Sequence, residues 1–315
     1  MKILFSFVPN NEIQKDLIEQ FPDASFSFRR LSEAGELVSE AEIFVTYGED
    51  LTEENILGFH RLKWIMVVSA GLEKMPFEQI KERNILVTNA RGIHAIPMSE
   101  FAFGFMLQYS KRFAEMHDQQ KEQKWNRNLP LKELYNSTLL ILGTGAIGTE
   151  TARIAQAFGM KTEGVNSDGR AIEHFDQTYP IDRLNKPLPN ADYILSFLPS
   201  TEETKHLLQS EHFHLMKESA VFINMGRGSL VSMEVLLNAL RAKEIAYAML
   251  DVMEEEPLPA DHPLWNQANI TITPHLSSIS SEYIPRALTI FKRNLHAYLN
   301  GEDHFQNIID LNRGY

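Results

Sequence analysis

At 315 residues the chain exceeds the usual span of one hydrophobic core, so two domains are expected. Its 43% hydrophobic and 23% charged residues suit an ordinary globular protein, while a formal net charge of -12, with no dense run of Lys or Arg, argues against nucleic-acid binding. Cysteine is absent, which excludes disulfides, thiolate metal sites and a cysteine nucleophile. No apolar run approaches the ~18 residues of a membrane span, and the opening MKILFSFVPN is too short in its apolar part for a signal peptide. The cytoplasm is therefore the expected compartment.

Short apolar runs at 2–8 (KILFSFV), 42–47 (EIFVTY), 63–68 (KWIMVV) and 84–88 (NILVT) predict four strands, with Ile13, Leu17, Ile18 and Phe21 at helical spacing between the first two. Strands that alternate with helices imply a parallel sheet covered on both faces. From Ser99 the stretch SEFAFGFMLQYSKRFAEMHDQQKEQ predicts one long helix with a core stripe of Phe101, Phe105 and Tyr109, and WNRNLP at 125–130 predicts a turn and an arm. A second series follows at 138–142 (TLLIL), 161–165 (KTEGV), 192–198 (DYILSFL), 220–224 (AVFIN), 246–252 (AYAMLDV) and 269–273 (NITIT), six strands of a doubly wound sheet. The last helix carries Ile284, Leu288, Phe291, Leu295 and Tyr298 and is expected to pack back onto the first domain. The expected division is 1–98 with 278–315 for one domain and 99–277 for the other.

Gly143, Gly145 and Gly148 form a G-x-G-x-x-G that directly follows a strand and opens a helix. In that context the glycines provide a tight turn, close approach of amides to a pyrophosphate, and close helix–strand packing, which predicts a bound dinucleotide. Where the next strand ends, an NAD site usually places an acid on the ribose hydroxyls. Here stand Asn166, Ser167, Asp168, Gly169 and Arg170, and Glu163 falls inside the strand. Asn166 and Ser167 as donors and Arg170 as a cation suit a 2′-phosphate, which favours NADP over NAD, although Asp168 nearby opposes it.

Three polar groups each follow a strand-like run: Arg227 between Gly226 and Gly228, Glu256 in MLDVMEEEPLP, and His275 in TITPHLSS. In an open α/β sheet the carboxyl ends of the strands border the ligand crevice, so these side chains converge. Together with GTGAIG, SFLPSTEETKHLL, INMGRGSLV, VVSAGLEKMP and VTNARGIHAIPMSE, they give the chain a strong resemblance to the D-isomer-specific 2-hydroxyacid dehydrogenase family from about Trp64 to Ser278.

That resemblance implies two doubly wound parallel-sheet domains of the α/β class, a Rossmann nucleotide-binding domain inserted into a flavodoxin-like substrate domain. It implies further that Arg227 binds the carboxylate of a small 2-keto acid and polarises its carbonyl, a task suited to a planar, always-charged guanidinium. His275 is implied as the acid–base residue and Glu256 as the carboxylate that orients its ring, with Glu254 and Glu255 as solvated neighbours. Formate dehydrogenases hold the equivalent histidine with glutamine, so Glu256 favours keto-acid reduction. Backbone amides of Ala70 and Gly71 are implied on the other side of the carboxylate. Thr144, Ala146, Ile147, Pro199, Thr204, Asn224, Gly226, Asp251 and Ser278 are implied as cofactor-lining residues.

The expected protein is a homodimeric NAD(P)-dependent reductase of glyoxylate, hydroxypyruvate or a branched-chain keto acid, paired through the Ser99 helix and the Trp125 arm. A biosynthetic phosphoglycerate dehydrogenase is less expected, because the chain stops at Tyr315. The alternative is a dinucleotide-sensing, corepressor-like binding protein of the same fold. No metal site is expected: HFH at 212–214 lacks further ligands at supporting spacing and reads as a solvated helix end. There is no G-x-S-x-G for a serine hydrolase.

Overall fold

A computed structural model describes residues 1–69, 72 and 75–311. The chain divides into two compact units, Met1–Ile93 with the segment from Ser280 onward, and His94–Ile279.

In the first unit five strands, β1 (Lys2–Phe5), β2 (Ser25–Phe28), β3 (Ile43–Thr46), β4 (Trp64–Val67) and β5 (Leu86–Asn89), stand in the order β2-β1-β3-β4-β5 with every pair parallel. This is the flavodoxin-like order. Four of them lie in the expected apolar runs. The fifth, β2, is an addition: Ser25-Phe26-Ser27-Phe28 alternates over four residues at the sheet edge, and both its phenylalanines pack on Phe5, with ring centroids 6.3 and 5.0 Å away. Helices α1 (Asn11–Gln20), α2 (Leu37–Glu40) and α3 (Phe77–Glu82) cross between strands, and the Asn10 side chain caps α1 by accepting from Ile13 N at 2.9 Å.

The last helix, Tyr283–Asn300, belongs to this unit. Its Leu288, Phe291 and Leu295 are buried with Ile3, Phe5, Leu17, Ile43 and Trp64 on one face of the sheet, as their spacing leads one to expect. Lys292 adds an ion pair to Asp16 on α1 at 2.7 Å. Trp64 is the central piece: fully buried, stacked on Phe291 at 5.4 Å, with its indole N–H donated to Thr88 Oγ1 at 2.9 Å.

In the second unit the strands are β6 (Thr138–Leu142), β7 (Lys161–Asn166), β8 (Gln177–Pro180), β9 (Tyr193–Ser196), β10 (Val221–Asn224), β11 (Tyr247–Leu250) and β12 (Ile270–Ile272), in the order β12-β11-β10-β9-β6-β7-β8, all parallel. The direction of winding reverses between β6 and β9, the doubly wound dinucleotide-binding order. Six strands match the second apolar series and β8 is a seventh. Gln-Thr-Tyr-Pro is polar and ends in a residue that cannot donate to a ladder, which an edge position tolerates.

Alternate residues of the strands feed two cores. Leu140, Leu142, Ile194 and Phe222 face one; Leu139, Ile141, Leu195, Val221 and Ile223 face the other. On the second side pack α4 (Ala95–Lys111) and α6 (Ala146–Ala157), which approach closely enough for Ser99 Oγ and Thr151 Oγ1 to lie 2.8 Å apart. The single helix expected from Ser99 is a correction. It starts at Ala95, because Pro97 sits in the first turn, where an N–H has no intrahelical partner to lose. It breaks at Arg112, whose φ of 56° is left-handed, and resumes as α5 (Phe113–Lys121). The break falls just after the stripe of half-buried Phe101 and buried Phe105 and Tyr109 ends, with the Arg112 guanidinium 4.9 Å over the Tyr109 ring. Beyond the core edge the following turns have no apolar face to hold them in line. Helices α7 (Ser210–Leu215) and α8 (Met233–Ala242) complete the unit, and within α7 His212 Nδ1 accepts from Gln209 N at 3.0 Å as part of the helix cap. Among the described residues, no helix is long and apolar enough to cross a membrane.

Replacing Trp64 by Ala removes the largest buried side chain and the N–H that Thr88 Oγ1 accepts. Urea denaturation of that variant is expected to show a loss of about 3–5 kcal/mol from the transition of the first unit.

Candidate active site

The glycine turn after β6 separates the three glycine roles. Gly143 has φ +101°, and a Cβ on Gly148 would lie 2.1 Å from the Gly143 carbonyl, so the first glycine makes the turn and the third lets α6 approach β6. Gly145 is different: a Cβ there would meet no atom within 4 Å, and both Gly145 and Ala146 are exposed. Packing does not require a glycine at 145. Open space before the N-terminus of a twelve-residue helix is what a pyrophosphate needs, so the residues present fit a dinucleotide.

At the end of β7 stand the residues expected at the ribose. Asn166 is buried, and its amide ties its own loop to the glycine turn: Nδ2 donates to Thr144 Oγ1 at 3.2 Å and to the Arg170 carbonyl at 3.0 Å, while Oδ1 accepts from Asp168 N at 3.3 Å and Gly169 N at 2.6 Å. Asn166 is expected to donate to a phosphate; both its amide hydrogens here bond protein acceptors. Ser167 and Arg170 are exposed. Arg170 Nη1 pairs with Asp168 Oδ1 at 3.0 Å, and the Arg170 N–H, backed by its guanidinium, holds the Asp168 carboxyl below its ordinary value. Glu163 lies within β7, as expected, where burial raises its carboxyl and Tyr179 hydrogen-bonds it.

The three polar groups all follow carboxyl ends of neighbouring parallel strands: Arg227 three residues beyond β10, Glu256 six beyond β11, His275 three beyond β12. Neighbouring strands lie about 4.8 Å apart, so the roots of these loops fall within roughly 10 Å along one sheet edge. His275 Nδ1 is 2.8 Å from Glu256 Oε2, and Glu256 Oε1 accepts from Met253 N at 2.9 Å. With Nδ1 facing a carboxylate, Nε2 is the nitrogen that can exchange a proton with a reactant. The side chains are 46% and 38% exposed, so solvent and small molecules reach the pair.

Arg227 is half-buried on extended backbone, with Nη1 donating to the Gly226 carbonyl at 3.0 Å. Its turn is built by Asn224, fully buried, whose Oδ1 accepts from Gly226 N at 3.2 Å and whose Nδ2 donates to the Arg227 carbonyl at 3.0 Å. Gly228 rests on the next loop: a Cβ there would lie 1.9 Å from the carbonyl carbon and oxygen of Met253. Any side chain at 228 would push the Arg227 loop away from the Glu256 loop.

Asp251 has a role that spacing does not reveal. Its carboxylate, 1% exposed, accepts from Thr273 Oγ1 at 2.6 Å, Leu276 N at 2.9 Å and Ser277 N at 2.9 Å, and its carbonyl accepts from His275 N at 2.9 Å. His275 itself has φ 55°, a left-handed residue held by this frame. Thr204 is likewise buried and donates to the Pro199 carbonyl at 2.6 Å, while Pro199 is exposed and Ile147, in the first turn of α6, packs partly buried against the core. The Ser278 backbone hydrogen-bonds His94, a buried imidazole whose protonation burial disfavours. Glu254 is exposed, as expected of a solvated neighbour, and its carboxylate also lies 2.7 Å from His206 Nε2, a pairing 48 residues apart that nothing in the sequence signals. Ala70 and Gly71 lie outside the described residues.

Residues 103–277 match the family described as D-isomer specific 2-hydroxyacid dehydrogenase, NAD binding domain. Glyoxylate/hydroxypyruvate reductase B of Shigella dysenteriae is 30% identical over 292 residues, 89% of each chain. Among solved structures, a D-isomer specific 2-hydroxyacid dehydrogenase family protein of Aeromonas salmonicida is 35% identical with a TM-score of 0.85, over 98% of this chain and 99% of that one. A D-isomer specific 2-hydroxyacid dehydrogenase of Xanthobacter autotrophicus, solved with NADPH and MES, is 26% identical with a TM-score of 0.80, over 100% of this chain and 99% of that one. A parallel dinucleotide-binding sheet, an open glycine turn and a histidine–carboxylate pair on the same edge accord with these likenesses, and the chain belongs to the NAD(P)-dependent D-isomer specific 2-hydroxyacid dehydrogenase family.

Proposed function

We propose that the protein reduces a small 2-keto acid, of the size of glyoxylate or hydroxypyruvate, to the D-2-hydroxy acid. The observation that carries this reading is the 2.8 Å contact of His275 Nδ1 with Glu256, on the sheet edge that also bears Arg227 and the glycine turn. The nicotinamide, when bound, supplies a hydride to the carbonyl carbon. Arg227 holds the carboxylate and draws electron density from the keto oxygen; its fixed positive charge favours the alkoxide-like transition state over the neutral ketone. His275 gives its Nε2 proton to that oxygen, and Glu256, 2.8 Å from Nδ1, fixes the ring. The reverse direction runs through the same groups, with neutral His275 taking the hydroxyl proton.

A dinucleotide sensor would need the glycine turn but has no use for a guanidinium and a carboxylate-paired imidazole on one edge, so that pairing favours the enzyme. Arg227→Ala is expected to abolish turnover of glyoxylate and hydroxypyruvate while dinucleotide binding, followed by cofactor fluorescence, is retained. His275→Gln is expected to lower kcat by about 10² to 10⁴. Wild-type rates in either variant would refute the assigned role.

For the cofactor, the reading is NADPH in preference to NADH, with Ser167 and Arg170 on the 2′-phosphate. The Arg170–Asp168 pair is 59% and 58% exposed, and a pair so open to water is weakly held and readily exchanged for a phosphate. Arg170→Ala is expected to raise KM for NADPH by roughly tenfold and leave KM for NADH unchanged. Equal effects on both cofactors would show that residue 170 does not read the phosphate.

The protein is further proposed to act as a homodimer through α4, α5 and the 125–130 arm. Support comes from the apolar surface of that segment: Trp125 is 93% exposed, and Phe113 and Leu131 are also exposed. Light scattering should give twice the chain mass for the wild type and a shift toward monomer for a Phe113→Glu, Trp125→Glu double variant.

A further inference from the structure

The loop after β9 is laced to the loop after β10. His206 N donates to the Ser229 carbonyl at 2.7 Å, Leu208 N to the Leu230 carbonyl at 3.1 Å, and Ser200 Oγ lies 2.9 Å from Ser229 Oγ. At His206 the backbone has φ 51°, left-handed territory that a residue with a Cβ occupies only when its surroundings hold it there. The ring uses that conformation: Nε2 is 2.7 Å from Glu254 Oε1, and Glu254 Oε2 accepts from Met233 N, the first residue of α8, at 3.3 Å. One carboxylate thus ties the β9 loop to the segment carrying Glu256 and to the helix that follows Arg227. The backbone of Met253 and Glu254 is already against Gly228, and Met253 N donates to Glu256 Oε1 at 2.9 Å. A shift of Glu254 therefore moves the donor that sets the Glu256 carboxylate.

We infer that His206 is a positioning residue: by gripping Glu254 it fixes the Met253–Glu256 turn and so sets the contact between Glu256 and His275. This rests on the functional reading above for its effect on turnover, though not for its effect on the His275 ring. Both partners are 38% exposed, so the bond adds little to global stability and what it supplies is local order.

His206→Gly is the informative variant, because glycine accepts the left-handed backbone and keeps the N–H to Ser229 while losing the ring. With glyoxylate and NADPH, kcat is expected to fall roughly tenfold, while KM for glyoxylate and Kd for NADPH stay within about twofold and the melting temperature within about 2 °C. His206→Gln, whose side-chain amide reaches as far as the imidazole Nε2 and can donate to Glu254, should recover most of the loss. A wild-type kcat in His206→Gly, or a loss matched by a fall in melting temperature and not relieved by Gln, would overturn the inference. Nitrogen-15 NMR of the histidine rings, on dinucleotide-free protein, reads the His275–Glu256 bond without turnover. A shifted or broadened His275 signal in His206→Gly is expected, and an unchanged one overturns the inference. If the wild type reduces no keto acid yet that signal moves, the clasp stands and the proposed activity falls.

Discussion

The buried carboxylate of Asp251 is the constraint on which the candidate site depends. A charged group at 1% exposure is tolerated only with its oxygens satisfied, and here the donors come from the stretch Thr273–Ser277 that carries His275. Desolvation of one acid thereby fixes the backbone of another element. His275 can sit in a left-handed conformation, exposed and aimed away from any core, because its neighbours on both sides are bonded to a residue anchored at the end of β11. An Asn or Ser in place of Asp251 would offer fewer charge-assisted acceptors, and the segment would lose the frame that makes its geometry unique.

The remaining parts are assembled in the same way, by backbone contact and buried amides instead of by bulk. Asn224 shapes the Arg227 turn, Gly228 seats that turn on Met253, and Asn166 closes the loop after β7. Parallel strands make this economical. Each delivers its loop to the same edge, so the loops after β6, β10, β11 and β12 share that edge without any one element crossing the sheet.

Much of this was legible in the chain itself, for reasons that differ by element. Central strands such as β4, β6 and β10 are buried on both faces and read as continuous apolar runs. The edge strands β2 and β8 have one neighbour each and half-exposed residues, so neither carries such a run. The helix after Ala95 kept its apolar period only as far as Tyr109, and composition alone did not mark the left-handed residue at 112. Within the site, Arg227, Glu256 and His275 could be picked out because each stands in a motif at the end of a run. The work of Asp251 and the pairing of His206 with Glu254 could not, since they depend on loops far apart in sequence that only the folded sheet brings side by side.

Asn166 carries a consequence for cofactor engineering. The usual route to changing dinucleotide preference is to exchange the residue that ends the second strand for an acid. In this chain such an exchange would retain an acceptor for the amides of Asp168 and Gly169 but leave the Thr144 hydroxyl and the Arg170 carbonyl without their donor. The fold of this loop rests on the side chain at 166, so an exchange that spares that position leaves the bonds to Thr144 and Arg170 in place.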